Sequence, residues 1–416
     1  MRFEYQFVSA MEKVFCRTDF KPEIPGSPAL CQLNGAKNMS VSFQIMLKCD
    51  FNIHLTFEAQ TPEGIEISFR EVGLVPCCMP AAVGNKDAFT HDPGLFPDPL
   101  IPIKKNMRLT ADCWNAVYVT LRISPNCPHG NYQIPVTIQM YQHPGCPWKL
   151  PFDLREKFTI GLHVYNANIN PQKLICTNWF HCDCLACYYR TEIWSDTFWT
   201  IAANYWQDMA QHGRNMLYTP LWTPPLDTAI GNERPITQLL GICRKNNKFT
   251  FDFSRLEKFI DIAQACGITH FEMVHMFTQW GAKATPLIIV ETENGEEKMF
   301  GWHVPADSPL YREFLNSLLP ELATFLKGKN LAGKVYFHIS DEPQENNLEL
   351  YGAAGKLVAQ YLPQHDFSIM DALSSAEFSG ENCWISLYRQ LLTSTILKIC
   401  LCGKDGVILR EIQKVI

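Results

Sequence analysis

No window of the sequence reaches the roughly eighteen consecutive apolar residues that span a bilayer, so a membrane-embedded protein is not expected. Clusters of lysine and arginine are missing as well. The formal net charge is −6 over 416 residues and no basic heptad occurs, which removes nucleic acid from the expected partners. A secretory leader is not expected: Met1-Arg-Phe-Glu-Tyr-Gln-Phe puts charge where an apolar segment belongs and offers no small-residue cleavage site. Paired cysteine knuckles are absent. Seventeen cysteines, an odd number at irregular spacing, suit free thiols in a reducing compartment better than a disulfide framework. The expectation is a cytoplasmic protein without membrane association, cofactor or metal, its oligomeric state left open. With 47% hydrophobic residues, the chain has enough apolar surface for two or three domains.

From Met1 to about residue 165 the pattern is one of short strands and turns. Val41-Ser-Phe-Gln-Ile-Met-Leu alternates apolar and polar residues, as do Ile65-Glu-Ile-Ser-Phe, Ala116-Val-Tyr-Val-Thr-Leu-Arg-Ile and Tyr132-Gln-Ile-Pro-Val-Thr-Ile-Gln-Met. Period-two runs with regular turn punctuation predict an antiparallel β-sandwich over residues 1–170. Between them, Val72 to Pro102 carries so many prolines that a long ordered loop is expected there.

After about residue 171 the rhythm becomes strand, helix, strand, helix. Strands are predicted at 174–180, 215–220, 268–277, 334–340 and 367–373, and helices at 196–212, 253–266, 310–327 and 348–361. Repeated βα units of this size imply the parallel sheet of a (β/α)8 TIM-type barrel, with about five of its eight units visible before residue 380. Asn294-Gly295 marks a hairpin lying over the barrel mouth.

Lys334-Val-Tyr-Phe-His-Ile-Ser-Asp-Glu-Pro343 is the most informative stretch. Val335, Phe337 and Ile339 alternate with Tyr336, His338 and Ser340, and the run ends in two adjacent carboxylates, Asp341 and Glu342. The C-terminal end of a parallel strand is where ligands bind and catalytic groups project. A plainer role, with Asp341 capping the next helix and Glu342 in its first turn, competes with that one. Other polar and aromatic residues gather at the predicted strand ends. His181 and Asp183 follow the first, Trp222 the second, and Glu272, His275, Gln279 and Trp280 belong to the third; His338 precedes the carboxylates on the fourth. Carboxylates and amides for hydroxyls, with indole faces for C–H surfaces, suit a sugar. Neighbouring carboxylates cannot easily flank a glycosidic bond from opposite sides. They suit a substrate whose own 2-acetamido oxygen attacks the anomeric carbon, one carboxylate polarising the acetamido N–H and the other protonating the leaving oxygen. For the acid role Glu342 needs a raised pKa.

Several motifs carry a family resemblance: Asn178-Trp-Phe-His-Cys-Asp, Tyr218-Thr-Pro-Leu-Trp-Thr-Pro-Pro-Leu-Asp-Thr, Gly231-Asn-Glu-Arg-Pro, His275-Met-Phe-Thr-Gln-Trp-Gly-Ala and Phe337-His-Ile-Ser-Asp-Glu-Pro. In these the chain resembles glycoside hydrolase family 123 over most of residues 70 to 380. The resemblance implies a sandwich followed by a (β/α)8 barrel, and a retaining β-N-acetylgalactosaminidase that takes glycans with a terminal N-acetylhexosamine. It implies that Asp341 orients the acetamido group and Glu342 is the acid/base, and it makes Trp179, His181, Asp183, Gln279 and Trp280 pocket candidates.

Cys182-Asp-Cys-Leu-Ala-Cys187 holds zinc-ligand residue types without a second pair, and free thiols are the expectation. After Gly380 the text departs from the family pattern. Residues 381–416 replace the last three βα units, and a frameshift near residue 381 is the working explanation, since a neighbouring frame over Trp384 to Arg389 can be back-translated as Asp-Ile-Pro-Ile-Pro. An inactive carbohydrate-binding remnant is the competing expectation.

Overall fold

The computed structural model describes residues 2–22, 31–141 apart from 83 and 89, 154–170, 173–343, 345–362 and 366–373, with the backbone of 385–388, 399–403 and 406–409. The chain is mixed α/β, rich in strands with few helices, and divides into two units, Met1–Pro171 and Gln172–Ile416.

The first unit consists of strands β1 (Phe3–Ser9), β2 (Cys31–Lys37), β3 (Met39–Cys49), β4 (Ile53–Ala59), β5 (Ile65–Cys77), β6 (Gly94–Pro102), β7 (Met107–Leu109), β8 (Asn115–Ile123), β9 (Gly130–Tyr141) and β10 (Leu154–Asn168). They form two five-stranded sheets, ordered β1-β3-β8-β5-β6 and β2-β10-β9-β4-β7. The alternation seen in the sequence is the reason. Val117, Val119, Leu121 and Ile123 of β8 are buried, as are Ile134, Val136, Ile138 and Met140 of β9, while their neighbours are more exposed. Side chains of both sheets join one core, each contributing about 1.5–3 kcal/mol on full burial, and a one-residue slip in register would turn a whole strand's apolar set outward. The proline-rich stretch expected to be a loop is in part strand. β5 continues to Cys77 and pairs with β6, which carries Pro97, Pro99 and Pro102. β6 is the edge of its sheet, where a missing amide donor costs no ladder bond.

In the second unit follow α1 (Cys182–Tyr189), α2 (Asp196–Gln211), β11 (Met216–Thr219), β12 (Gly241–Lys245), β13 (Lys248–Asp252), α3 (Ser254–Ala265), β14 (His270–Met273), β15 (Ile288–Thr292), β16 (Gly295–Phe300), α4 (Pro309–Gly328), β17 (Val335–Phe337), α5 (Leu348–Tyr361), β18 (Ser368–Leu373), β19 (Ile385–Tyr388), β20 (Ile399–Gly403) and β21 (Gly406–Leu409). Ser195 caps α2 by accepting from Phe198 N at 3.2 Å, and Gly213, at φ 80°, follows its end. α2 buries Phe198, Ala202 and Trp206, one face at helical spacing. α4 likewise buries Tyr311, Phe314, Leu315, Leu318, Leu319 and Leu322.

The main sheet is ordered β11-β14-β17-β18-β19-β20-β21. Its pairs are parallel as far as β19 and antiparallel beyond. A closed eight-stranded barrel is not evident among the described residues. The strand expected at 174–180 is reduced to a single parallel bridge, Thr177 to Met216. The hairpin at Asn294-Gly295 joins β15 and β16, and with β12 and β13 it builds a second, four-stranded sheet inside what the sequence suggested was loop. Among the described residues no helix is long and apolar enough to cross a membrane. The proposed frameshift point at residue 381 lies outside the described residues.

Candidate active site

Four chain segments at the C-terminal ends of the parallel strands enclose an open cleft of about 790 Å³. Thr177, Asn178 and Trp179 follow the Thr177 bridge, Asp227 and Thr228 follow β11, Gln279 and Trp280 follow β14, and Asp341 and Glu342 follow β17. α5 begins at Leu348 with Asn347 as its N-cap, so neither carboxylate caps the next helix.

The turn that presents the pair is held by its neighbour. Ser340 Oγ accepts from Gly281 N and Ala282 N, both at 3.1 Å, and donates to Thr278 O at 2.8 Å. Trp280 N donates to Asp341 O at 2.7 Å, and Asn347 Nδ2 donates to Trp280 O at 3.0 Å. The 280–282 segment is left-handed throughout, with φ of 64°, 113° and 57°. Gly281 is needed in the middle because a Cβ there would overlap the Asn347 side chain. Glu342 also has a positive φ, 40°, which turns it away from the strand direction. Burial raises the Asp341 carboxyl, and the charge of Glu342 beside it adds to the effect, to about 7. The raised carboxyl that an acid role requires is thus found on Asp341, the first of the pair.

Beneath the cleft lies a buried charge network. His338 Nε2 donates to Glu272 Oε1 at 2.6 Å and Nδ1 donates to Asp371 Oδ1 at 3.0 Å. Glu272 also accepts from Thr177 Oγ1 at 2.6 Å and from Trp179 Nε1 at 2.8 Å. Asp371 accepts from Tyr351 Oη at 2.6 Å and from Ile339 N at 3.0 Å. Burial alone would lower the His338 pKa, but the two carboxylates outweigh it and raise it to about 10, so the ring is an imidazolium. Burial would raise Glu272, yet the His338 charge and its hydrogen bonds carry it below the ordinary carboxylate range. For Asp371 burial prevails and its carboxyl is raised. His275 stacks on His338 with ring centroids 4.3 Å apart, and burial together with that charge lowers it well below its ordinary value. A neutral ring therefore lies against a charged one.

The expected substrate contacts separate accordingly. Trp179, Gln279, Trp280, Asp341 and Glu342 line the cleft. Glu272, His275 and His338 are at most 1% exposed, so they act from below the floor, Glu272 by fixing the Trp179 indole. Trp222 cannot stack on a ligand: its ring is fully buried against Phe314, and its Nε1 donates to His275 O. Asp183 is occupied by Arg234, which donates from Nε at 3.0 Å and from Nη2 at 2.9 Å. His181 Nε2 donates to Asp227 Oδ2 at 3.1 Å; burial and the Arg234 charge lower its pKa, with Asp227 acting in the opposite sense. Sequence reasoning missed Asp227, Arg234 and Asp371. Asp371 was within reach, as a carboxylate on the fifth predicted strand.

His275, His338 and Asp371 each place one potential metal-ligand atom within 4.8 Å of the others. Both His338 nitrogens already serve carboxylates, so ligation would first have to break those bonds. The cysteines of 182–187 lie in α1, with Cys182 buried and Cys184 and Cys187 exposed.

A solved family 123 glycoside hydrolase from Clostridium perfringens, described in connection with glycolipid glycan hydrolysis, is similar with a TM-score of 0.67 and 13% identity. The match covers 93% of this chain and 67% of that one, and it establishes likeness of fold. The E. coli chaperone DraB (TM-score 0.20, 8% identity, 40% of this chain and 57% of that one) and a PapD-like domain of human CEP192 (0.19, 7%, 34% and 84%) are too weakly similar to inform on it. No curated protein matches. The family model for the catalytic domain of glycoside hydrolase 123 matches residues 179–395, past Gly380 and over more than half of the chain. By that match the chain belongs to glycoside hydrolase family 123.

Proposed function

We propose that the protein is a retaining glycosidase that removes terminal β-linked N-acetylgalactosamine with the help of the substrate's own 2-acetamido group. The carrying observation is the adjacent pair Asp341 and Glu342 at one strand end, in an open cleft bordered by Trp179 and Trp280. Two groups so placed suit a route in which the substrate supplies the nucleophile. The acetamido N–H donates to Asp341 while its carbonyl oxygen attacks the anomeric carbon, and the glycosidic oxygen leaves with a proton from Glu342. A water activated by Glu342 then opens the bicyclic intermediate, and the two inversions give net retention. With its pKa raised to about 7, Asp341 keeps a proton for part of the time near neutral pH. An arriving N–H favours the ionised Asp341, and the proton passes to the leaving oxygen by way of Glu342.

In this reading the first unit, residues 1–170, is a β-sandwich, supported by its two sheets sharing one core. Residues 171–380 are a partial TIM-type barrel, supported by the parallel strands and the site at their C-terminal ends. A cytoplasmic location accompanies it, supported by seventeen cysteines, an odd number at irregular spacing.

The test is release of p-nitrophenol from the aryl β-N-acetylgalactosaminide, with the plain galactoside as comparison and a thiazoline mimic of the intermediate as inhibitor. Glu342→Gln should lose about 10²-fold or more. Equal turnover of the galactoside would reject acetamido participation. One observation favours a second reading, an inactive sugar-binding protein: β20 and β21 are antiparallel where a barrel would continue with βα units. Saturable binding of N-acetylgalactosamine in calorimetry, without turnover, would select it.

A further inference from the structure

Asp227 is the third carboxylate of the cleft, and the proposed mechanism does not use it. It follows β11, whereas Asp341 and Glu342 follow β17, with β14 between them in the sheet. The ends of β11 and β17 stand two strand spacings apart, about 10 Å, and the loop after Thr219 brings Asp227 back to the cleft that the pair lines, near enough for its charge to act on Asp341. A pyranose ring spans such a gap when each end is reached by one hydrogen bond.

The side chain is fixed from behind and open in front. Oδ2 accepts from His181 Nε2 at 3.1 Å and from Arg234 Nη1 at 3.5 Å. Arg234 is itself locked by the two-pronged contact with Asp183, and its Nη1 also reaches Leu226 O at 3.3 Å. The inward Nδ1 of His181 has no partner, which fits the tautomer whose proton sits on Nε2 and points at Asp227. Among the described residues no donor reaches Asp227 Oδ1, and the side chain is 61% exposed. Both supporting bonds fall on one oxygen, and the other remains available to a ligand.

Resting on the acetamido-assisted reading, we infer that Asp227 accepts the hydroxyl at C4 of the bound hexosamine and so sets the preference between its galacto and gluco epimers. The ring geometry supplies the position. With C1 at Glu342 and C2 at Asp341, the carbon diametrically across the ring is C4, the one stereocentre at which the two epimers differ. A carboxylate pinned through Oδ2 by His181 and Arg234 cannot swing its free Oδ1 after a displaced hydroxyl, and a fixed acceptor discriminates where a mobile one would adapt.

The experiment compares the full chain with Asp227→Ala and Asp227→Asn. Binding of the galacto-configured thiazoline and of its 4-deoxy and 6-deoxy analogues is measured by calorimetry, alongside kcat/KM on the matching aryl glycosides. Removing a hydrogen bond to a charged group should weaken binding and kcat/KM for the parent ligand by about 10- to 100-fold. The 4-deoxy analogue should bind wild type and variants alike, and the 6-deoxy analogue should follow the parent. Equal loss on parent and 4-deoxy ligands, no loss on either, or loss that tracks the 6-hydroxyl would overturn the inference while leaving the acetamido mechanism in place. Inversion of the product anomer would overturn it in favour of Asp227 as a base. If wild type neither binds the thiazoline nor cleaves the glycoside, the functional reading falls and this inference with it. Unchanged thermal unfolding of Asp227→Asn, a substitution at an exposed side chain, confirms that folding is not what changed.

Discussion

Replacing His338 with glutamine would expose how much the buried charge network contributes. Its pKa is raised from 6.5 in the unfolded chain to about 10 in the fold, because Glu272 and Asp371 outweigh the penalty of burial. A base raised on folding stabilises fully below its unfolded value, and that stability disappears as pH rises through the folded one. The whole span corresponds to about 5 kcal/mol, lost at about 1.4 kcal/mol per pH unit between those limits. Other groups slope the same way: Asp341 is raised to about 7, and Cys16 and Cys31 are pushed up to about 12 by burial. The informative quantity is therefore the difference in slope between wild type and His338→Gln from pH 7.5 to 8.5. Urea unfolding followed by tryptophan fluorescence reports mainly the second unit, since eight of the ten tryptophans lie after residue 171. The wild type should lose about 1.4 kcal/mol more than the variant over that pH unit. Nitrogen NMR of the His338 ring should still show an imidazolium at pH 8.5. A neutral ring at pH 7.5 would refute the assignment of charge.

With an aryl N-acetylgalactosaminide, kcat/KM should decline above about pH 7 as Asp341 gives up its proton; a profile flat to pH 9 would contradict the scheme in which that proton serves the leaving group. Gly281→Ala should cost about 1–3 kcal/mol for its positive φ alone, with more from overlap with Asn347, and should raise KM by displacing Trp280; unchanged Tm and KM would show that the loop tolerates a side chain. Cys16 and Cys113 hold their sulfurs 2.9 Å apart. Diamide, which takes up two electrons and two protons, should convert them to a disulfide detectable by peptide mass mapping, and two unmodified thiols after treatment would refute this.

The helices were legible because their apolar faces recur at helical spacing and their ends carry turn residues. α2, α3, α4 and α5 start and stop within a residue or two of their expected bounds. α1 was not, since a run of cysteines between aromatics has no clear period and reads as well as a strand end. Pro97 and Pro99 misled for a physical reason: they forbid a central strand, but β6 is an edge, a distinction that depends on pairing and not on composition. At the site, Asp341 and Glu342 stood out because two acids rarely end an apolar run. Trp222 looked equally functional and is core, and nothing local in Leu221-Trp222-Thr223 distinguishes a buried indole from a stacking one. The partners of His338 come from β14 and β18, far apart in the chain, and only folding brings them together.

The backbone at Glu342 has a consequence for how such a site persists. A side chain at φ 40° sits in a region that glycine or asparagine occupies with less penalty. Substituting either would relax the turn while discarding the carboxylate, so under the proposed mechanism the more stable molecule would be the idle one. Under that mechanism, drift toward stability and selection for turnover pull in opposite directions at this single position. The presence of glutamate there means that the chain carries a conformational handicap of about 1 kcal/mol in exchange for where that carboxylate points.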